Sequence, residues 1–304
     1  MNQYKFSLSI LLAAFLWSTS YAVSKSALIS FDPSTLAFLR FAVSLFLLGC
    51  IIKLWRIGFS LPDQSLYKLL ALSGLLGYTF YFMLQNWGLK FAYATDATLL
   101  VASYPVITAF IESMVTKKSI PPKNWLGIFL AVSGVTLIIQ PWNVGSIITV
   151  DRFIGIILFL LTGVVWAIYN IVINRIGEMN IFQLTFWQAV FGALFIFPFV
   201  IYEAPALKEV PMVAWGSLGY LAIFCSLIAF LFYNYGLRAV PPNQAVNILN
   251  SVPVFGALIG YFFLGEILTM LQAIGGIVVI IGVYISFSAK SNSKDIEIIR
   301  MDAK

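Results

Sequence analysis

Apolar runs of 18 to 23 residues, separated by short stretches of charged and turn-forming residues, recur ten times along the chain. They cover approximately 6–28, 34–54, 67–89, 96–116, 124–141, 153–174, 181–201, 213–235, 244–263 and 267–288. A membrane helix needs roughly 20 apolar residues to cross the hydrocarbon layer, so each run predicts one span. The first run is long, lacks a clear small-x-small cleavage site and is followed by nine more, so it is read as a retained helix rather than a signal peptide. Most connections are a few residues long, and a short polar tail over 289–304 follows the last run.

Composition excludes a soluble alternative. Of 304 residues, 61% are hydrophobic and 10% are charged, whereas soluble domains carry about one quarter charged residues. Histidine is absent, which excludes an imidazole base, a histidine proton relay and histidine metal ligands. Cys50 and Cys225 both lie in apolar runs with no ligand spacing. No glycine-rich phosphate loop follows a strand, so direct ATP hydrolysis is not expected. The sequence predicts no cofactor, no metal and no nucleic-acid partner. The net charge of +6 has a topological explanation. With a cytoplasmic N-terminus, thirteen Lys and Arg fall inside, four (Lys25, Lys90, Arg152 and Lys208) fall outside, and Arg40 sits within a span. That bias satisfies the positive-inside rule and puts both termini in the cytoplasm.

A shift of 148 residues aligns the chain with itself. Asn86-Trp87-Gly88-Leu89-Lys90 falls on Asn234-Tyr235-Gly236-Leu237-Arg238, Pro105 on Pro253, Gly127 on Gly275 and Gly134 on Gly282. One inserted residue brings Trp17 onto Trp166. The chain is therefore expected to hold two copies of a five-helix unit, over 1–141 and 152–288. Because five is odd, the second copy enters the membrane from the opposite side. The loop charges agree: Lys53, Arg56 and Lys68 in the first half correspond to Glu203, Lys208 and Glu209 in the second. Inverted repeats of this kind are an architecture of secondary transporters, with the substrate site near the midplane between the halves.

The repeat resembles the EamA domain of the drug/metabolite transporter superfamily over nearly the whole chain, twice. The features that carry the resemblance are Trp17 and Trp166 early in each half, Asn-x-Gly-Leu closing the third helix (Asn86 to Leu89, Asn234 to Leu237), and a proline in the fourth (Pro105, Pro253). Leu264-Gly265-Glu266 before the last helix completes the set, although the first half has Thr116-Lys117-Lys118 there. The resemblance implies an all-α membrane protein of ten helices around a central cavity, lined mainly by helices 1, 3, 4, 6, 8 and 9. It also implies exchange between outward-open and inward-open states.

Polar groups within a bilayer normally face protein or a wet cavity. On the first helix Trp17, Ser20, Tyr21 and Ser24 fall on one helical stripe, and Trp166, Tyr169, Asn170 and Asn174 repeat it on the sixth. Tyr78, Tyr81 and Gln85 on the third helix, Tyr233 on the eighth, and Asn247 and Asn250 on the ninth extend the set. Twelve of these side chains, all but Ser24 and Asn174, predict aromatic walls with amide and hydroxyl groups, suited to a small amphipathic solute; the alternative is hydrogen-bonded glue between helices. Two charges lie deeper than the rest. Arg40 either snorkels outward or pairs with a substrate carboxylate. Glu112 either carries a proton or pairs with the lysines that follow it. Pro105 and Pro253 are either static kinks or hinges. The glycines of helices 5 and 10 predict close packing, between the halves or in a homodimer.

The expected function is a multi-pass permease of the plasma membrane, bacterial in type, that exports an amino acid or related small metabolite by alternating access. Its expected partners are that solute and membrane lipid. An intramembrane enzyme lacks a nucleophile with a positioned base, and a non-transporting accessory or sensor protein sits poorly with the inverted repeat.

Overall fold

A segment in hydrocarbon must satisfy its own backbone, and a helix is how a single segment does so. The computed structural model describes residues 4–58, 61–92, 97, 100–101, 104–117, 120–139, 150–177, 179–256, 258 and 270–288. Among these residues every regular element is helical. In chain order they are α1 (Tyr4–Ala27), α2 (Pro33–Leu54), α3 (Gln64–Phe91), α4 (Tyr104–Thr116) and α5 (Pro122–Ile139), then α6 (Val150–Ile176), α7 (Ile181–Glu203), α8 (Met212–Gly236), α9 (Pro242–Ile248) and α10 (Met270–Ser288). Six of them, α1, α2, α3, α6, α7 and α8, are long and apolar enough to cross a membrane. The Leu264-Gly265-Glu266 motif and the tail over 289–304 lie outside the described residues.

The helix boundaries have local causes. Pro33 opens α2, where its missing N–H is no loss. Asp32 makes no side-chain cap there. The Glu203 carboxylate reaches over from the end of α7 instead, accepting from Ser34 N at 2.8 Å, Thr35 N at 2.7 Å and Thr35 Oγ1 at 2.8 Å. Asn180 caps α7 by accepting from Phe182 N at 2.9 Å. Gly177, just after α6, turns the chain with φ +78°, a conformation glycine adopts without strain.

The two halves interlock crosswise. In one half α1 packs on α8 and in the other α6 packs on α3; α4 packs on α6 while α9 packs on α1. Helices α2 and α7 meet each other, as do α5 and α10. The repeated spacing of glycines explains these crossings. A Cβ added at Gly88 would meet the Phe159 ring of α6 at 3.0 Å, and one at Gly236 would meet Ile10 of α1 at 2.2 Å. Gly88 and Gly236 are partners under the 148-residue shift, and Ile10 and Phe159 are partners once the inserted residue is counted. The asparagines of the same motif tie each third helix to the second of its own half: Asn86 Nδ2 donates to Pro33 O at 2.9 Å, and Asn234 Nδ2 to Thr185 Oγ1 and Gln188 Oε1, both at 3.0 Å.

Between α5 and α10 the backbones almost touch. A Cβ at Gly134 would lie 2.6 Å from the Gly275 carbonyl, and one at Gly282 would lie 2.6 Å from both the Gly127 carbonyl and the Ala131 nitrogen. The small residues of these helices are thus used between the halves.

Both third helices contain a π-helical segment, Leu75–Phe80 in α3 and Leu221–Ile228 in α8. The shift by 148 carries the first into the second. Such widened turns free carbonyls from the usual ladder, and π-helical turns are frequent at functional sites.

Candidate functional site

A cavity lies where the two interlocked halves meet at α1, α3, α6 and α8. Its volume is about 30 Å³, room for about one or two waters. Trp17, Ser20 and Tyr21 come from α1, Tyr81, Phe82 and Gln85 from α3, Trp166 from α6 and Phe230 from α8. Val101 and Tyr104 of the first half and Leu249 and Val252 of the second complete it. Six of the expected cavity residues are therefore in the lining: Trp17, Ser20, Tyr21, Tyr81, Gln85 and Trp166.

The two tryptophans form the centre of the wall. Their rings sit edge to face with centroids 5.7 Å apart, a favoured aromatic geometry. Tyr81 tilts against Trp166 at 4.7 Å, and Phe230 meets Trp17 at 5.5 Å. Trp17 is held by its Nε1, which donates to the Cys225 carbonyl of the π-helical segment at 2.8 Å. An acceptor within the π-helical segment thus fixes one wall of the cavity. Ser20 Oγ donates to Trp17 O at 2.8 Å, and Tyr21 and Tyr81 share a hydrogen bond between their side chains.

The other six expected residues are outside the lining. Tyr169 stacks on Trp166 at 4.9 Å and donates to Asn234 Oδ1 at 3.3 Å. Asn170 donates to Trp166 O at 2.7 Å and accepts from Tyr233 OH at 2.6 Å. Tyr233 packs 5.2 Å from both Trp17 and Trp166. Tyr78 donates to Gln188 Oε1 at 3.5 Å, the far limit of such a contact. Asn250 donates to Asn247 Oδ1 at 3.2 Å, while Asn247 Nδ2 and Asn250 Oδ1 are buried with no hydrogen-bond partner. Together Tyr169, Asn170, Tyr233 and Asn234 form a buried polar layer that fixes the orientation of the cavity rings.

Arg40 differs from the snorkelling expectation. It is 0% exposed and is the one charged side chain among the described residues that is fully buried. Its Nε donates to Ser226 Oγ at 3.1 Å, and its guanidinium lies 4.6 Å from the centroid of the Phe82 ring. Nη1 and Nη2 are buried without a hydrogen-bond partner. The physical reason is direction: Arg40 points from α2 into the crossing with α8, so no outward path is open to it.

Glu112 is half-buried on α4, four residues before Thr116, and outside the cavity lining. Pro105 is buried at the second position of α4 as described, with 102–103 outside the described residues. Pro253 is buried and follows a 3-10 turn, Leu249–Ser251. A proline there lacks the N–H that an α-helix would need for the Leu249 carbonyl, which accounts for the tighter turn before it.

Sequence reasoning missed Phe82, Val101, Tyr104, Phe230, Leu249 and Val252. Five of these stand in apolar runs as apolar residues, so no contrast with their neighbours marked them. Tyr104 had a signal, since it lies three residues after Val101 and directly before Pro105. Ser226 on the eighth helix and Gln188 opposite Arg40 stood out in the sequence as polar positions within spans, whereas Thr185 was identifiable only once the helices were placed together.

Comparison with known proteins gives the context. The profile of the EamA-like transporter family matches twice, over residues 5–140 and 153–288. The chain is 28% identical over 283 residues to an uncharacterized transporter of Archaeoglobus fulgidus, covering 92% of this chain and 96% of that one. It is 27% identical over 220 residues to the uncharacterized transporter YyaM of Bacillus subtilis, covering 71% of each. A probable terminal-alkyne amino-acid exporter of Streptantibioticus cattleyicolor is 22% identical over 275 residues, covering 90% and 91%. A solved crystal structure shares the fold with a TM-score of 0.77 at 18% identity, covering 94% of this chain and 99% of that one. With two matched domains that span most of its length, and several membrane-spanning helices, this multi-pass membrane protein belongs to the EamA-like transporter family.

Proposed function

We propose that the protein is a secondary permease that moves an amino acid or related amphipathic metabolite across the plasma membrane by alternating access, in the export direction. The observation that carries this reading is the aromatic cavity between the halves, where Trp17 and Trp166, one from each repeat, meet at 5.7 Å. A solute held there touches both repeats, so a rocking of one half against the other exposes it to each side in turn. Relatedness at 22% identity to a probable amino-acid exporter supports the substrate class without fixing it.

In this reading the chain crosses the bilayer ten times with both termini cytoplasmic, and Pro105 and Pro253 serve as hinges. Reporter fusions at each loop test the topology. The transport reading is tested with purified protein in liposomes: radiolabelled amino acids should show flux above empty vesicles, and Trp17→Ala should abolish most of it. Flux equal to that of empty vesicles for the whole amino-acid set overturns the substrate class.

A further inference from the structure

A cation buried in an apolar interior is costly, by several kcal/mol after relaxation, so proteins normally pair it or leave it a path to water. Arg40 has neither. It is fully buried, one of its three nitrogens donates to Ser226, and the other two have no hydrogen-bond partner. The equivalent position in the second half is Gln188, whose Oε1 accepts from Tyr78 and Asn234. The fold therefore accommodates a neutral side chain at this place, and the charge in the first half is not required by the packing scheme.

The cavity is adjacent. Phe82 lines it and carries the guanidinium 4.6 Å from its ring centroid. Two unpaired amino groups on one planar cation match the two oxygens of a carboxylate in a bidentate arrangement. One buried charge balances one negative charge, which suits a carboxylate better than a phosphate monoester carrying about −1.5 to −2 at neutral pH. For an ammonium the lining offers aromatic faces and neutral oxygens, which attract a cation more weakly.

We infer that Arg40 is the anion-recognising residue of the transport site and receives the carboxylate of the solute, with Phe82 as the gate between cavity and guanidinium. The inference rests on the transport reading and narrows its substrate to carboxylate-bearing amphipathic solutes.

The test uses the full chain purified in detergent and three probes that share one apolar body: L-phenylalanine, 3-phenylpropanoate and 2-phenylethylamine, with inorganic phosphate alongside. Both carboxylates should bind, and the amine should bind about tenfold or more weakly. Arg40→Gln should bring the carboxylates down to the level of the amine without lowering the melting temperature of the probe-free protein, because it removes an unpaired buried charge. Arg40→Lys, a compact point charge, should retain part of the affinity. The inference is overturned if the amine binds as tightly as the acids, if phosphate binds best, if neither carboxylate binds, or if Arg40→Gln keeps the carboxylate affinity. A melting temperature that falls in Arg40→Gln while carboxylate affinity is unchanged assigns Arg40 a structural role instead. Flux in liposomes separates the two readings: amine flux sensitive to Trp17→Ala overturns the Arg40 assignment and leaves transport standing. Carboxylate binding lost in Arg40→Gln with no flux of any probe or amino acid overturns the proposed transport substrate class and leaves the binding site.

Discussion

Arg40 and Gln188 stand at equivalent positions in the two repeats, and each reaches across the molecular interior to the π-helical segment of the opposite half. Arg40 donates to Ser226 at 3.1 Å and Gln188 accepts from Tyr78 at 3.5 Å. Ser226 and Tyr78 are themselves equivalent under the 148-residue shift. One contact has thus been kept twice in position while its chemistry has diverged, charged on one side and neutral on the other.

The glycines that let α5 and α10 meet should be intolerant of even one methyl. Gly282→Ala places a carbon 2.6 Å from two backbone atoms that cannot swing away, and overpacking of this kind costs about 1–3 kcal/mol. Gly216→Ala, with nothing within 4 Å, should be neutral or stabilising by up to about 1 kcal/mol. Thermal unfolding in detergent should separate the two variants. Equal melting temperatures would contradict the seam.

Removing the cross-helix cap of α2 should loosen its start. Glu203→Ala deletes three hydrogen bonds to Ser34 and Thr35, with an expected loss of about 1–2 kcal/mol. Glu203→Gln keeps acceptor geometry on one oxygen and should lose less. The order of melting temperatures, wild type above Gln above Ala, is the readout.

Tyr233→Phe keeps the ring against both tryptophans and deletes the 2.6 Å bond to Asn170. A buried amide oxygen is then left unpaired, at a cost of about 1–3 kcal/mol. Because Asn170 sits one turn from Trp166, flux should fall along with stability. Asn170→Leu in the Tyr233→Phe background should recover stability without recovering flux.

Trp17→Phe preserves an aromatic wall but removes the donor to the Cys225 carbonyl. Amide exchange over 221–228, followed by mass spectrometry, should quicken, since a widened helix turn then loses one of its outside partners. Exchange should stay unchanged in α5, which is remote from that contact.

Much of the frame was legible in the sequence because membrane helices announce themselves by length and apolarity, and because Asn86 and Asn234, Gly88 and Gly236, and Trp17 and Trp166 survive as marks of duplication. The division of the polar stripes was not legible. Tyr169 and Asn170 share a stripe with Trp166, yet a helical face is wide enough for one edge to meet a cavity and the other to meet a neighbouring helix. Only the position of α8, which brings Tyr233 onto Asn170, decides between them. Arg40 illustrates the same limit. Depth along a helix can be counted from sequence, but the direction in which a side chain leaves the helix relative to its neighbours cannot. Phe82 and Phe230 were silent for the opposite reason, being apolar residues in apolar surroundings.

The close seam between α5 and α10 has a consequence for biogenesis. Ile139 closes α5 and Met270 opens α10, so 131 residues of synthesis separate the helix from its partner, or roughly 7 to 26 seconds at about 5–20 residues per second. During that interval the furrow around Gly134 faces lipid or the insertion machinery rather than another backbone. The seam between the halves thus closes only once the second repeat is nearly complete. A chain stalled after α9 therefore lacks the partner that the small residues of α5 meet in the folded protein.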